Sequence, residues 1–262
     1  MKQVSILVFL SLLILISCKK KALKNEVIES TDKPMVEEVS FFTSDSVKIY
    51  ADFYFQNKKA TNILLFHQGG ANVRSEYKPI IPKLIEEGFN ILAVDQRVGG
   101  QLLGSYNRTV ADIDINRFNY CDAYPDLEAS LNYIFTTQNS GKIILWGSSF
   151  SATLAIKLAH NYPDKVAAVL AFSPASGEPM EDCQPNVLFE TLKTPMLLLR
   201  PSSEAAIESV RNQLTVAQQF GHQTYIAQNG RHGSSMLVED RVQAPVDANW
   251  KIVMDFLNQH KN

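Results

Sequence analysis

Short apolar runs recur along the chain and alternate with segments whose apolar residues fall at helical spacing. The runs are residues 62–66 (NILLF), 89–94 (FNILAV), 142–146 (KIILW), 166–172 (VAAVLAF) and 195–199 (PMLLL). Between them, residues 75–87 align Ile80, Ile81, Leu84 and Ile85 on one stripe, and residues 122–137 align Leu127, Leu131 and Ile134. Residues 150–161, 203–220 and 249–259 read as further helices, and 223–227 as a last strand. A strand that is apolar throughout needs cover on both faces, and a helix between successive strands makes a parallel crossover. Two β-rich segments, 36–43 and 47–55, flank the turn signal Ser44-Asp45-Ser46 and read as an antiparallel hairpin. The expectation is an α/β fold: a mostly parallel eight-stranded sheet with helices on both faces.

Composition agrees with one such domain. Of 262 residues, 45% are hydrophobic and 20% charged, which excludes a largely disordered or collagen-like chain. Lys plus Arg number 25 and Asp plus Glu 27, a formal net charge of −2. That balance offers no electrostatic footprint for nucleic acid. No feature sets an oligomeric state.

The N-terminus has a different character. Met1-Lys2 is followed by an apolar run over residues 4–16, shorter than the roughly 20 residues a spanning helix needs. It reads as the h-region of a secretory signal peptide. The run ends in Leu15-Ile16-Ser17-Cys18, which resembles a bacterial lipobox, with Cys18 the residue acylated after cleavage. The expected organisation is a lipoprotein signal peptide over 1–17, a lipidated Cys18 with a charged tether over 18–35, and a folded domain over 36–262. Lipidation implies membrane anchoring at Cys18. Lys19 does not resemble the inner-membrane retention signal of enteric bacteria, so the expected location is the outer membrane, facing the periplasm. Cys121 and Cys183 remain as a pair. In an oxidising compartment a disulfide between them is open, provided that they lie within bonding distance. Neither has metal-like partner spacing, so no metal site is expected.

Residues 99–121 and 173–190 are long connections leaving the C-terminal ends of strands, where open α/β sheets bind ligands. The most informative stretch lies between them: Ile143-Ile144-Leu145-Trp146-Gly147-Ser148-Ser149-Phe150-Ser151-Ala152. An apolar strand runs into small residues and then directly into a helix. Such a turn exposes its central side chain at a helix N-terminus, which favours developing negative charge. A serine there needs a base, and His232 lies in the polar, glycine-flanked loop Asn229-Gly230-Arg231-His232-Gly233-Ser234. His160, His222 and His260 read as surface residues. The base needs an orienting carboxylate, and Glu204 follows the 195–199 strand, with Glu178 in reserve.

The turn resembles the Gly-x-Ser-x-Gly motif of the α/β-hydrolase family, with Ser151 in place of the second glycine. The resemblance extends over residues 36–260. It is closest to the dienelactone-hydrolase-like and small serine esterase members. It implies the α/β-hydrolase fold with a small loop cap, and a triad in the family order: Ser149 as nucleophile, Glu204 as acid, His232 as base. It also implies an oxyanion hole from the backbone N–H groups of Phe150 and Gly69, the latter in the loop His67-Gln68-Gly69-Gly70. By the same resemblance His67, Asp95 and Arg97 are supporting residues. Gln68 either lines the pocket or braces its loop. The expected activity is hydrolysis of a small-molecule ester, thioester or amide, without cofactor. A non-catalytic ligand-binding lipoprotein and a peptidase of the same fold are the alternatives.

Overall fold

The computed structural model describes residues 35–137 and 139–261. Cys18, the signal segment 1–17 and the tether up to residue 34 lie outside the described residues. Eight strands form one open sheet: β1 (Met35–Phe42), β2 (Lys48–Phe55), β3 (Asn62–Phe66), β4 (Asn90–Asp95), β5 (Ile143–Ser148), β6 (Ala168–Phe172), β7 (Met196–Pro201) and β8 (Gln223–Ala227). Their spatial order is β1-β2-β4-β3-β5-β6-β7-β8. β2 runs antiparallel to both β1 and β4, and every other pairing is parallel. The expected fold is present, hairpin included.

The helices are α1 (Val73–Tyr77), α2 (Ile81–Glu86), α3 (Arg108–Ala111), α4 (Tyr124–Thr136), α5 (Phe150–Asn161), α6 (Ser202–Ala205), α7 (Glu208–Gln219), α8 (Glu239–Val242) and α9 (Asp247–His260). They cover both faces of the sheet. On one, Leu131, Leu154, Leu158 and Leu214 pack with Leu64, Leu145 and Leu198. On the other, Val73, Leu84, Trp250 and Phe256 pack with Ile63, Ile144 and Leu197. Adjacent strand residues thus feed opposite cores, as the period of two requires.

Two expected helices are each divided. The segment 75–87 becomes α1 and α2, separated at Lys78-Pro79-Ile80. Pro79 lacks the N–H that a continuing helix would use, whereas Pro82 sits harmlessly in the first turn of α2. The segment 203–220 becomes α6 and α7 because Ile207 takes an extended conformation, with φ −78° and ψ 132°. Conversely, the long connection 99–121 contains α3 and two short 3-10 turns, Ile115–Arg117 and Tyr120–Ala123.

Asp95 and Arg97 are structural, as the resemblance implies. Asp95 accepts the Val73 N–H at 3.0 Å and Arg108 Nε at 2.7 Å, joining the end of β4 to α1 and α3. Arg97 is buried and donates Nε to Asp126 at 2.8 Å, with Asp45 on the same guanidinium. Cys121 and Cys183 are disulfide-bonded, tying the 99–121 connection to the 173–190 connection. No described helix is long and apolar enough to cross a membrane.

Candidate active site

The turn after β5 carries backbone strain at one residue. Ser149 has φ 63° and ψ −122°, a combination that non-glycine residues rarely adopt. Such a conformation costs on the order of 1–3 kcal/mol and persists only when its surroundings enforce it. Here they do. The Ser149 N–H donates to the Phe172 carbonyl of β6 at 2.8 Å. Gly147 leaves no room for a side chain: a Cβ there would lie 2.4 Å from the Cα of Ala152. The Ser151 hydroxyl accepts the Ser148 N–H at 2.8 Å and lies 2.8 Å from the Phe66 carbonyl at the end of β3. The position where the family usually carries glycine thus holds a side chain that stitches the turn to the neighbouring strand.

His232 lies in the loop between β8 and the 3-10 turn Gly233–Leu237. Its Nδ1 is 2.6 Å from Glu204 Oε1, and its side chain is 49% exposed against 14% for Glu204. That contact makes Nδ1 the proton-bearing nitrogen and leaves Nε2 as an acceptor. Glu204 Oε2 accepts Arg200 NH1 at 2.8 Å. Burial alone would raise the Glu204 pKa. The hydrogen bonds and charges of His232 and Arg200 outweigh it and hold the carboxyl below its ordinary range. Arg200 is itself buried; it also donates to Gln213 Oε1 at 2.6 Å and to the Pro174 carbonyl. Glu178, the reserve acid, lines the cleft but makes no hydrogen bond among the described residues.

The histidine loop is docked from beneath. The Gly233 N–H donates to Ser173 Oγ at 3.1 Å, and the Ser234 N–H to Ser148 Oγ at 3.0 Å. Gly233 has φ +63°, and a Cβ on it would lie 2.2 Å from Ser148 Oγ, so only glycine fits. The Ser234 hydroxyl accepts Trp146 Nε1 at 2.9 Å.

The loop after β3 holds Gly69. His67 is buried, and burial lowers its pKa and keeps the ring neutral. Its Nε2 accepts the Gln96 N–H at 3.1 Å while Nδ1 lies 2.9 Å from the Gln68 carbonyl. The Gln68 N–H donates to Glu76 Oε2 at 2.7 Å. Glu76 is fully buried, and burial pushes its carboxyl up to about 7. It is the backbone of Gln68 that braces the loop; its side chain is buried near Gly233, with Oε1 3.6 Å from where a Gly233 Cβ would stand, and is not among the residues that line the cleft around Ser149. The Gly69 and Phe150 N–H groups have no backbone acceptor among the described residues.

Ser149, Glu204 and His232 line one cleft of about 530 Å³, together with Phe150, Tyr120, Ser173, Met180 and Ile207. Ser149 Oγ makes no hydrogen bond in it among the described residues. No group of three His, Cys, Asp or Glu side chains able to hold a metal ion occurs among the described residues. His160, His222 and His260, read as surface residues, are each partly exposed. His160 Nε2 meets Thr191 Oγ1 at 3.0 Å and His222 Nε2 the Phe189 carbonyl at 2.7 Å.

Nothing in the sequence by itself assigns Tyr120, Arg200 or Glu76 to the site. Arg200 carried a faint signal, standing four residues before Glu204 at the end of an apolar run. Glu76 and Tyr120 carried none, because only the fold brings them beside residues far away in the chain.

The family profile for the alpha/beta hydrolase fold matches residues 61–197. Among solved structures, an esterase of Pyrococcus furiosus superposes with a TM-score of 0.64 at 17% identity, covering 87% of this chain and 91% of that one. A dienelactone hydrolase of Anabaena variabilis gives 0.63 at 16%, covering 85% and 98%. An acylaminoacyl peptidase of Pyrococcus horikoshii gives 0.65 at 16%, covering 90% of this chain but 44% of that longer one. At these identities the likeness is one of fold.

Proposed function

The chain belongs to the α/β-hydrolase fold family, and from that premise we propose that it is a serine hydrolase cleaving a carboxylic ester, or a related thioester or amide, through an acyl-serine intermediate. The observation that carries this reading is the shared cleft, with a strained serine at a helix N-terminus and a histidine–glutamate pair on its walls. Ser149 Oγ attacks the carbonyl carbon while its proton passes to His232 Nε2. Glu204 holds the ring by Nδ1 and stabilises the imidazolium that forms. The N–H groups of Phe150 and Gly69 receive the negative oxygen. Collapse breaks the bond to the leaving group, which takes the proton from His232. Water, deprotonated by the same nitrogen, then attacks the acyl-serine and releases the acid and the free hydroxyl. A cap made only of two loops suits a small or accessible acyl substrate.

A fluorophosphonate probe tests the nucleophile. Labelling at Ser149, absent in Ser149→Ala and weakened in His232→Ala, is the expected result. A folded chain that stays unlabelled would favour a non-catalytic binding role. As part of the same reading, residues 1–17 direct export and Cys18 is acylated, anchoring the domain at the outer membrane facing the periplasm. Metabolic incorporation of an alkyne-tagged fatty acid on expression in a bacterial host, lost in Cys18→Ala, is the expected result. No incorporation would sink the anchor.

A further inference from the structure

We propose that the phenolic hydroxyl of Tyr120 is a third hydrogen-bond donor to the carbonyl oxygen of the bound acyl group, held over the oxyanion loop by the Cys121–Cys183 disulfide. The inference rests on the serine-hydrolase reading above and adds a catalytic side chain to it.

Three observations converge on this residue. A Cβ built on Gly69 would lie 2.6 Å from the Tyr120 hydroxyl oxygen and 3.0 Å from the ring carbon that bears it. The phenol tip therefore rests directly against the glycine whose N–H is the proposed second donor. The ring of Tyr120 stacks on that of Phe150, with centroids 4.8 Å apart and planes inclined by 26°. Phe150 supplies the other proposed donor, so one side chain touches both residues of the oxyanion pair. Finally, Tyr120 lines the same cleft as Ser149 and His232. Tyr120 is half-buried, and its hydroxyl has no hydrogen-bond partner among the described residues.

A phenol fixed in this way is a preorganised donor. Its dipole needs no reorientation as charge develops, which is the property that makes oxyanion donors effective. The disulfide supplies the fixing. Cys121 is bonded to Cys183, 62 residues away in the connection whose residues Ser173 to Met180 also line the cleft. The 3-10 turn that carries Tyr120 is also capped by Asn119, whose side chain accepts the Cys121 and Asp122 N–H groups at 2.9 and 3.2 Å. The same contact explains why position 69 is glycine: any side chain would displace the phenol.

The competing role is that of an apolar wall, and Tyr120→Phe separates the two, since it keeps the stack and removes the donor. On p-nitrophenyl acetate we expect kcat to fall by roughly tenfold to a hundredfold with KM within about twofold. Wild-type kcat in the variant would overturn the proposal. A second readout does not depend on turnover. In Ser149→Ala, 4-fluorobenzoate binding followed by 19F NMR should weaken roughly fivefold or more when Tyr120→Phe is added, because a carboxylate oxygen occupies the same donors. Unchanged binding overturns the proposal even if the protein proves not to be a hydrolase. Loss of esterase activity in the wild type with a clear binding effect would instead fault the hydrolase reading alone. The tether is tested by a double-mutant cycle with Cys121→Ser/Cys183→Ser, folding being checked by circular dichroism. The Tyr120→Phe effect should shrink to under about twofold in that background, and an undiminished effect would overturn the tether.

Discussion

Ser151 stands where the family motif usually has glycine, and its hydroxyl joins Ser148 N–H to the end of β3. Ser151→Ala leaves a buried N–H without its acceptor, so stability should drop by about 1–2 kcal/mol, read as a lower urea midpoint. Phe66 O keeps its bond from Tyr77 OH at 2.7 Å, so the strand end should hold. At Glu204 the expected loss is catalytic. Glu204→Gln offers His232 an amide in place of a charge, and kcat should fall by roughly 10²–10⁴ in a steady-state ester assay, with the fold intact. A residual rate close to wild type would remove Glu204 from the mechanism. The small-residue turn and the glycines beside His232 were legible in sequence, because each is a local requirement. The fixing of Arg200, which braces Glu204, by Gln213 and the Pro174 carbonyl was not, since it joins residues from three separate segments.

Between elements, the coupling runs through α1. Glu76 projects from that helix into the interior and accepts the N–H of Gln68 in the loop after β3. Burial, only partly offset by Ser148, the Gln68 N–H, Arg241 and His232, carries its pKa from 4.5 to about 7. The unfolded chain loses this proton near 4.5 and the folded chain near 7. Across that window the folded state binds more protons, so this group lowers stability as pH rises and levels off above it. Glu76→Gln keeps an acceptor for Gln68 and has no proton to lose. Relative to wild type it should gain on the order of 3 kcal/mol between pH 4 and pH 8, measured by denaturant unfolding at each pH. A pH-independent difference would refute the buried ionisation. Glu204, held low, acts in the opposite sense: its contribution is present above the usual glutamate range and is lost as pH falls below it. In the histidine loop, Gly233→Ala meets Ser148 Oγ at once and should abolish probe labelling at Ser149 by displacing His232.

For the whole molecule, the disulfide matters most where the sheet cannot help, at the two connections that it joins. Closing a loop of 62 residues removes unfolded-state entropy worth about 4 kcal/mol. Reduction or Cys121→Ser/Cys183→Ser should lower stability by up to that amount, seen as a fall in Tm, and a Tm unmoved by reductant would count against the bond. The mostly parallel sheet with its antiparallel hairpin, the coverage of both faces and the hydrolase class were legible in the sequence itself, whereas the spatial order of the strands was not. Apolar period, glycine placement and helix spacing act over a few residues and need no knowledge of distant partners. Tertiary structure alone decided the rest. It divided the two long helical stretches, through Pro79 and the extended Ile207. It joined Cys121 to Cys183, because bonding distance depends on how two remote loops are folded. It also set Tyr120 against Gly69 and buried Glu76 behind Gln68. Proximity across dozens of residues is created when the sheet brings its loops together at one edge, and no local pattern in the chain encodes it.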